Sequence, residues 1–287
     1  MDKLLRATTK NGEIRAFAAN TKELVNVARN YHQTTPVASA ALGRLLTAGV
    51  MMGSMLKGEQ ELLTLNIKGD GPMGGVLVTA NGAGQVKGYV NNPLVDLPLK
   101  VNGKLDVSGA IGAGNLTVIK DLGMKEPYVG QVELVSGEIA EDITYYYASS
   151  EQTPSVVALG VLVDIDYSIR QSGGFIIQLL PQAKEETIEQ LEKNIQELPS
   201  VTQMYESGLD EEGILKKVLE GFEVLVHDIS TPKYYCNCSR ERVEKALITI
   251  GKDELDSMIQ DGQPIEMNCH FCDKKYIFEM EDLKKLI

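Results

Sequence analysis

The chain contains four cysteines, none before residue 236, spaced as Cys236-x-Cys238 and, thirty residues on, Cys269-x-x-Cys272. Zinc prefers four tetrahedral ligands at ~2.0–2.3 Å, and thiolates are among its best. A C-x-x-C knuckle lets two sulfurs converge on one ion while backbone amides turn toward them. In a reducing compartment such a cluster reads as metal-binding or redox-active rather than as a static disulfide staple. We therefore expect Cys236, Cys238, Cys269 and Cys272 to hold a single zinc ion. His270 lies between two of them and is the weaker candidate, because four sulfurs already complete the shell. His32 and His227 stand alone in the sequence and read as structural or exposed.

A purely structural knuckle is the commonest use of such a site, and two features argue for more. The C-x-C pair is tighter than the usual C-x-x-C, so its sulfurs sit close enough to react together. A disulfide between next-but-one neighbours approaches the upper Cα separation of a relaxed bridge, ~6.8 Å, and strained bridges are the labile, regulatory kind. Energetics points the same way. Four thiolates around zinc contribute on the order of 10 kcal/mol to folding a small module. Disulfides closing such short loops restrict the unfolded chain little. Oxidation would remove a strong clamp and leave weak staples, so the module is expected to loosen.

Other chemistries find less support. The glycine-rich Gly69–Gly75 contains no G-K-[ST], and Pro72 interrupts any phosphate-cradling run of amides. Gly109–Gly114 has the wrong glycine order for a dinucleotide fingerprint. Both read as turns or loops. Asp164 and Asp166 form a D-x-D pair with no further ligands near them in sequence. Three scattered histidines support no Ser–His–Asp or Cys–His pairing, and no enzyme is expected. A net charge of −12 argues against a general nucleic-acid binder, whose affinity rests on Lys and Arg against phosphate. From Pro232 onward nine Lys/Arg face eleven Asp/Glu, a poor footprint for phosphate. Arg240 with Arg242 and Lys274 with Lys275 are the local basic patches a nucleic-acid-binding zinc module would need.

The elements that must position the cysteines follow from pattern. Asn11-Gly12 is a hairpin turn between strands Leu4–Thr9 and Glu13–Phe17. A helix begins near Thr21, and a second at Thr35-Pro36, where Thr can cap and Pro suits the first turn. That second helix is crowded with Ala and Gly, which predicts close packing in the core. Its Met51, Met52 and Met55 read as core filler. Alternation predicts strands around Leu63–Ile67, Val76–Thr79, Gln85–Val90, Leu116–Lys120 and Tyr128–Val135, and a helix over Glu138–Ser149. Val156–Val163 is near-continuously apolar and reads as an interior strand. Ser172-Gly173-Gly174 reads as a turn into Phe175–Leu180. Between Gln182 and Phe222 ten acids face four lysines. There Ile188, Leu191, Ile195 and Leu198 mark a narrow apolar stripe on one helix, and Leu215, Val218 and Leu219 mark another after Asp210. Such short helices depend on what they pack against. They are either ordinary surface helices or a conditionally folded linker. In the last segment Ser239 is a candidate cap for a helix over Arg240–Ile250. No apolar stretch is expected to approach the ~20 residues that span a bilayer, and the first residues lack a signal peptide's apolar core, so the protein is expected in the cytoplasm with no membrane partner.

The ending CNCSRERVEKAL…GQPIEMNCHFCDKKYIFEMEDL resembles the zinc domain of the redox-regulated heat-shock protein 33 family. The similarity extends to Ala41–Ala48, Gly69-Asp70-Gly71-Pro72, Lys87-Gly88-Tyr89 and Gly173–Pro181, and is weakest over the acidic segment. The resemblance implies an α+β fold: a β-sheet core domain with packed helices over 1–181, a metastable acidic helical linker over 182–231, and a small α+β zinc-binding redox-switch domain over 232–287. It implies an ATP-independent holding chaperone that is inactive when reduced and zinc-bound. Hypochlorite, or peroxide with heat, would form Cys236–Cys238 and Cys269–Cys272 disulfides, expel zinc and unfold the linker for unfolding client proteins. It further implies a homodimer when active, part of whose client surface lies on the core, and hand-over of clients to the heat-shock protein 70 system. The rival reading is an interaction protein whose zinc knuckle serves folding alone.

Overall fold

The computed structural model describes residues 1–58 and 60–286, so the far end of the expected C-terminal module, Ile287, lies outside the described residues. The fold is α+β and comprises two compact units, Met1–Tyr234 and Tyr235–Ile287.

The larger unit starts with the expected hairpin. Strands β1 (Lys3–Thr9) and β2 (Ile14–Asn20) pair from Lys3↔Asn20 to Thr8↔Arg15. Gly12 takes φ +72° in their turn, a conformation glycine reaches without steric cost. Helices α1 (Lys22–His32) and α2 (Pro36–Gly53) follow. Thr35 is the residue before α2, yet its hydroxyl donates to the Val95 carbonyl and not to the helix. Helix α2 is buried at every position except Pro36 and Arg44. Its length and composition would suffice to cross a membrane, but 89% of it is buried inside the fold. Glycines allow the approach: a Cβ on Gly43 would stand 2.8 Å from Val25, and one on Gly49 2.7 Å from Val78. Met51 and Met52 are buried in the core and Met55 packs against it.

One sheet has six strands, from β3 (Leu62–Gly69), β4 (Val76–Asn81), β5 (Gln85–Val90), β6 (Gly114–Asp121), β7 (Tyr128–Glu133) and β11 (Lys233–Tyr234), in the order β11-β5-β4-β3-β6-β7. Leu63, Leu65 and Ile67 all point into the core. The Gly109–Gly114 stretch is only partly a turn. Val107–Ile111 forms a short helix, α3, because the Asp106 carboxylate accepts from the Gly109 N–H and caps it. Helix α4 (Ala140–Ser149) buries Ile143, Tyr146 and Tyr147.

The other sheet runs β10-β1-β2-β9-β8, with β8 (Ser155–Val163), β9 (Ile169–Leu179) and β10 (Val224–Ser230). Two expectations are corrected here. Strand β8 is an edge strand, not an interior one. Its run is apolar because both faces of the sheet are covered: Val157 and Val161 belong to the core around α2, whereas Val156 and Ala158 pack on the opposite side. Ser172-Gly173-Gly174 lies within β9 and makes no turn. Its glycines answer crowding, since a Cβ on Gly173 would meet the Tyr205 ring and the Ala19 carbonyl oxygen at 2.5 Å. The turn between β8 and β9 is instead made by residues 164–168, where Asp166 accepts from Ser168.

That second face carries the acidic segment. Helices α5 (Glu185–Gln196), α6 (Val201–Glu206) and α7 (Glu211–Val218) bury Leu191, Val201, Met204, Ile214, Leu215 and Val218 against Leu5, Ile14, Ala16, Phe175 and Ile177. Strand β10 then pairs antiparallel with β1. Charge composition concealed α6, and β10 is mostly exposed and carries no burial pattern. The Glu13 carboxylate, in the β1–β2 hairpin, accepts from the Lys184 N–H and the Thr187 hydroxyl at the start of α5. The Thr187 bond, followed by the Lys184 bond, lowers the Glu13 pKa. A carboxylate lowered on folding stabilises the folded state above its unfolded pKa and loses that contribution as pH falls through the folded value. Amides of 184–198 are therefore expected to exchange faster, beyond the intrinsic rate, when pH drops below the ordinary Glu range. Glu13→Gln should flatten that dependence, and an unchanged profile in the variant would exclude this latch.

Candidate metal centre

The smaller unit is built around a hairpin. Strands β12 (Ile265–Asn268) and β13 (Lys275–Phe278) pair from Ile265↔Phe278 to Asn268↔Lys275. Cys269 and Cys272 lie in the loop between them. The Cys269 N–H donates to the Lys274 carbonyl at 3.0 Å, and the Asp273 N–H donates back to the Cys269 carbonyl at 2.8 Å. Asp273 takes φ +55° to close this knuckle, a conformation that Asp tolerates better than most residues.

Cys236 and Cys238 precede helix α8 (Arg240–Ile248). Ser239 caps it as expected, accepting from the Arg242 N–H. The Arg240 guanidinium stacks 4.4 Å from the Phe278 ring centre, donates to the Ile277 carbonyl and pairs with Asp282 at 2.6 Å. Arg240 thereby ties the C-x-C segment to the hairpin. Leu247, Leu255, Tyr276, Phe278 and Leu283 form a small core, completed by α9 (Lys252–Asp261) and α10 (Met280–Leu283).

The four sulfurs converge. All lie within 4.8 Å of one another, with Cys236–Cys269 at 3.6 Å and Cys238–Cys272 at 3.5 Å. A tetrahedron with metal–sulfur bonds of ~2.3 Å has sulfur–sulfur edges of ~3.8 Å, so the cage has the size of a tetrathiolate site. Four half-buried cysteines are positioned to bind a metal ion. Among the described residues no other cluster of His, Cys, Asp or Glu is arranged this way.

Polar groups surround the sulfurs unevenly. The Tyr276 hydroxyl donates to Cys238 Sγ at 3.1 Å. Burial pushes the thiols of Cys236 and Cys272 up. Burial also acts on Cys238, but the Tyr276 hydroxyl and the neighbouring thiols outweigh it and bring that thiol down to about 7. The same hydrogen bond raises the Tyr276 phenol. Cys238 is the most readily ionised of these three thiols even without a cation, and a bound dication would favour thiolate at all four positions.

The remaining candidates do not join this centre. His270 contributes no ligand atom to the converging group. The His32 ring contacts the Gly88 carbonyl oxygen and the His227 ring contacts the Thr8 hydroxyl, both in the larger unit. Asp164 and Asp166 bond to the backbone of their own turn. Sequence reasoning missed Tyr276 and Arg240. Tyr276 was findable, since the alternation Lys275-Tyr276-Ile277-Phe278 directly after a knuckle marks a strand with Tyr276 and Phe278 on one face.

The family model described as Hsp33 protein matches residues 2–279. A relative called 33 kDa chaperonin from Lachnoclostridium phytofermentans is 56% identical over 286 residues, covering 100% of this chain and 98% of its own. One of the same name from Agathobacter rectalis is 54% identical, covering 99% of each chain. The crystal structure of the 33 kDa chaperonin (heat shock protein 33 homologue) from Thermotoga maritima superimposes with a TM-score of 0.93 at 39% identity, over 99% of this chain and 97% of that one.

Proposed function

This chain belongs to the Hsp33 family, and we propose from that premise that it is a redox-regulated, ATP-independent holdase chaperone whose switch is a zinc site. The observation that carries the reading is the convergence of Cys236, Cys238, Cys269 and Cys272 within 4.8 Å in a chain of a chaperone family. Zinc, when bound there, would hold the ligands as thiolates and clamp a unit whose own core is small.

In the reduced state the cysteines hold residues 235–287 folded, and helices α5–α7 cover the outer face of the five-stranded sheet. Hypochlorite consumes two thiolates per disulfide: one sulfur takes the chlorine and releases hydroxide, and the second displaces chloride as the S–S bond forms. The family resemblance assigns the pairs Cys236–Cys238 and Cys269–Cys272. Proximity in the folded site would equally permit Cys236–Cys269 and Cys238–Cys272, so peptide mapping of the oxidised protein distinguishes them. Short-range pairing is favoured once the ion leaves, because residues two or three apart stay close in an unfolded segment while residues 33 or 34 apart separate. The small unit then loosens, and 182–231 acts as the linker that is released to expose apolar surface.

That surface, on the core domain 1–181 and the freed linker, would hold unfolding clients. A flexible acidic and apolar segment adapts to many partners without a shaped pocket. Dimerisation on activation, hand-over to the heat-shock protein 70 system and a cytoplasmic location complete the reading by family analogy. The test is light scattering from a thermally aggregating client mixed with reduced, zinc-loaded protein or with hypochlorite-treated protein. Suppression by the oxidised form alone, reversed by reductant, is expected. No suppression in either state would leave the rival reading, a metal knuckle that serves folding alone.

A further inference from the structure

The chain's own side chains set how firmly the sulfurs are held, and this inference rests on reading the cysteine cluster as a metal centre. Four thiolates around a dication leave a formal charge of −2 that must be stabilised in a partly buried place. Hydrogen-bond donors to sulfur do this, and such outer groups also fix ligand orientation. Cys238 has such a donor at 3.1 Å in a side chain, the Tyr276 hydroxyl.

Tyr276 is placed for this task by the hairpin. It stands on β13 opposite Met267, on the arm that leaves the Cys269–Cys272 knuckle, yet it reaches a sulfur of the other pair. Its residue is only 6% exposed, and a buried hydroxyl calls for a partner. The Lys274 ammonium lies 5.2 Å from its ring centre, adding positive charge beside the cluster. The two halves of the centre are thus joined by a bond that needs no metal.

We propose that Tyr276 is a positioning residue for the metal centre, its hydroxyl holding Cys238 Sγ in the ligating orientation. Tyr276→Phe keeps the ring that packs against the small core and removes only the donor. Loss of an outer-sphere partner of this type costs about 10- to 100-fold in metal affinity.

The experiment titrates reduced full-length wild type and Tyr276→Phe with zinc against a chromogenic chelator, and records the cobalt(II)-substituted absorption spectrum of each. A 10- to 100-fold weaker affinity in the variant and a shifted sulfur-to-cobalt charge-transfer band are expected. Tyr167→Phe, in the β8–β9 turn, is the control that should match wild type. Affinity within twofold of wild type and an identical cobalt spectrum would overturn the assignment and leave Tyr276 a packing residue. Should Tyr276→Phe fail to fold, cadmium-loaded wild type gives the answer by NMR. A Tyr276 hydroxyl proton that exchanges slowly with solvent supports the bond to sulfur, and fast exchange refutes it. Absence of zinc binding by wild type itself would be a different failure, that of the metal centre.

Discussion

Replacing Cys269 and Cys272 together by serine is expected to abolish tight zinc binding and to leave residues 235–287 unfolded in the reduced protein. Structural zinc sites bind with an apparent ~10–16 kcal/mol at neutral pH. If the four ligands share that evenly, loss of two removes about 5–8 kcal/mol, or about four to six orders of magnitude in affinity. The small unit has little to offset this, since its buried core rests on Leu247, Leu255, Tyr276, Phe278 and Leu283, and the residues packed against it include Cys238 and, before substitution, Cys269 itself. A short chain with so few buried side chains cannot readily offset the conformational entropy of ordering it. The functional consequence follows from the proposed switch: the variant should suppress client aggregation without oxidant, and hypochlorite should add little. Zinc content by elemental analysis and light scattering measured on the same sample check both halves. Full zinc retention would remove the site assignment. Loss of zinc with no gain of activity would keep the metal centre and reject the switch.

How the sequence could be read depended on what each residue must satisfy locally. The cysteine cluster was legible in full because metal geometry fixes residue type and spacing together, and the four sulfurs meet within 4.8 Å. The first hairpin was legible because Asn11-Gly12 has a backbone demand of its own. Strand β8 was misplaced because a continuous apolar run reports two buried faces and says nothing of whether a neighbouring strand lies beyond. Ser172-Gly173-Gly174 was misread for a related reason: glycine serves a turn or a close approach equally well, and only Tyr205, from α6, reveals which. Strand β10 escaped because its residues are mostly exposed, so its pairing with β1 leaves no burial pattern. Tyr276 was legible as an inward-facing strand residue, but its sulfur partner was not, since Cys238 lies 38 residues away in sequence.

The same second core that escaped a reading of charge makes the linker the next place to intervene. Leu215 on α7 is fully buried with Ile214 and Val218 against β1 and β2, while α7 itself spans only eight residues and cannot persist undocked. Leu215→Ala removes packing worth about 2–5 kcal/mol. If α5–α7 open as one local unit, that loss raises the open population by about 30- to several-thousand-fold. Proteolysis tracks the open population when closing outpaces cleavage, so trypsin should cut at Lys184, Lys193, Lys216 and Lys217 faster by a similar factor in the reduced, zinc-loaded variant. Hypochlorite-treated wild type should be cut at the same bonds at comparable rates, because in the proposed mechanism oxidation reaches the same released state by another route. Leu215→Ala should then hold clients while its cysteines remain reduced and its zinc remains bound. Equal cleavage of reduced and oxidised wild type would reject the linker as the released element. Rapid cleavage of the variant without holding activity would instead show that release alone does not create the client surface.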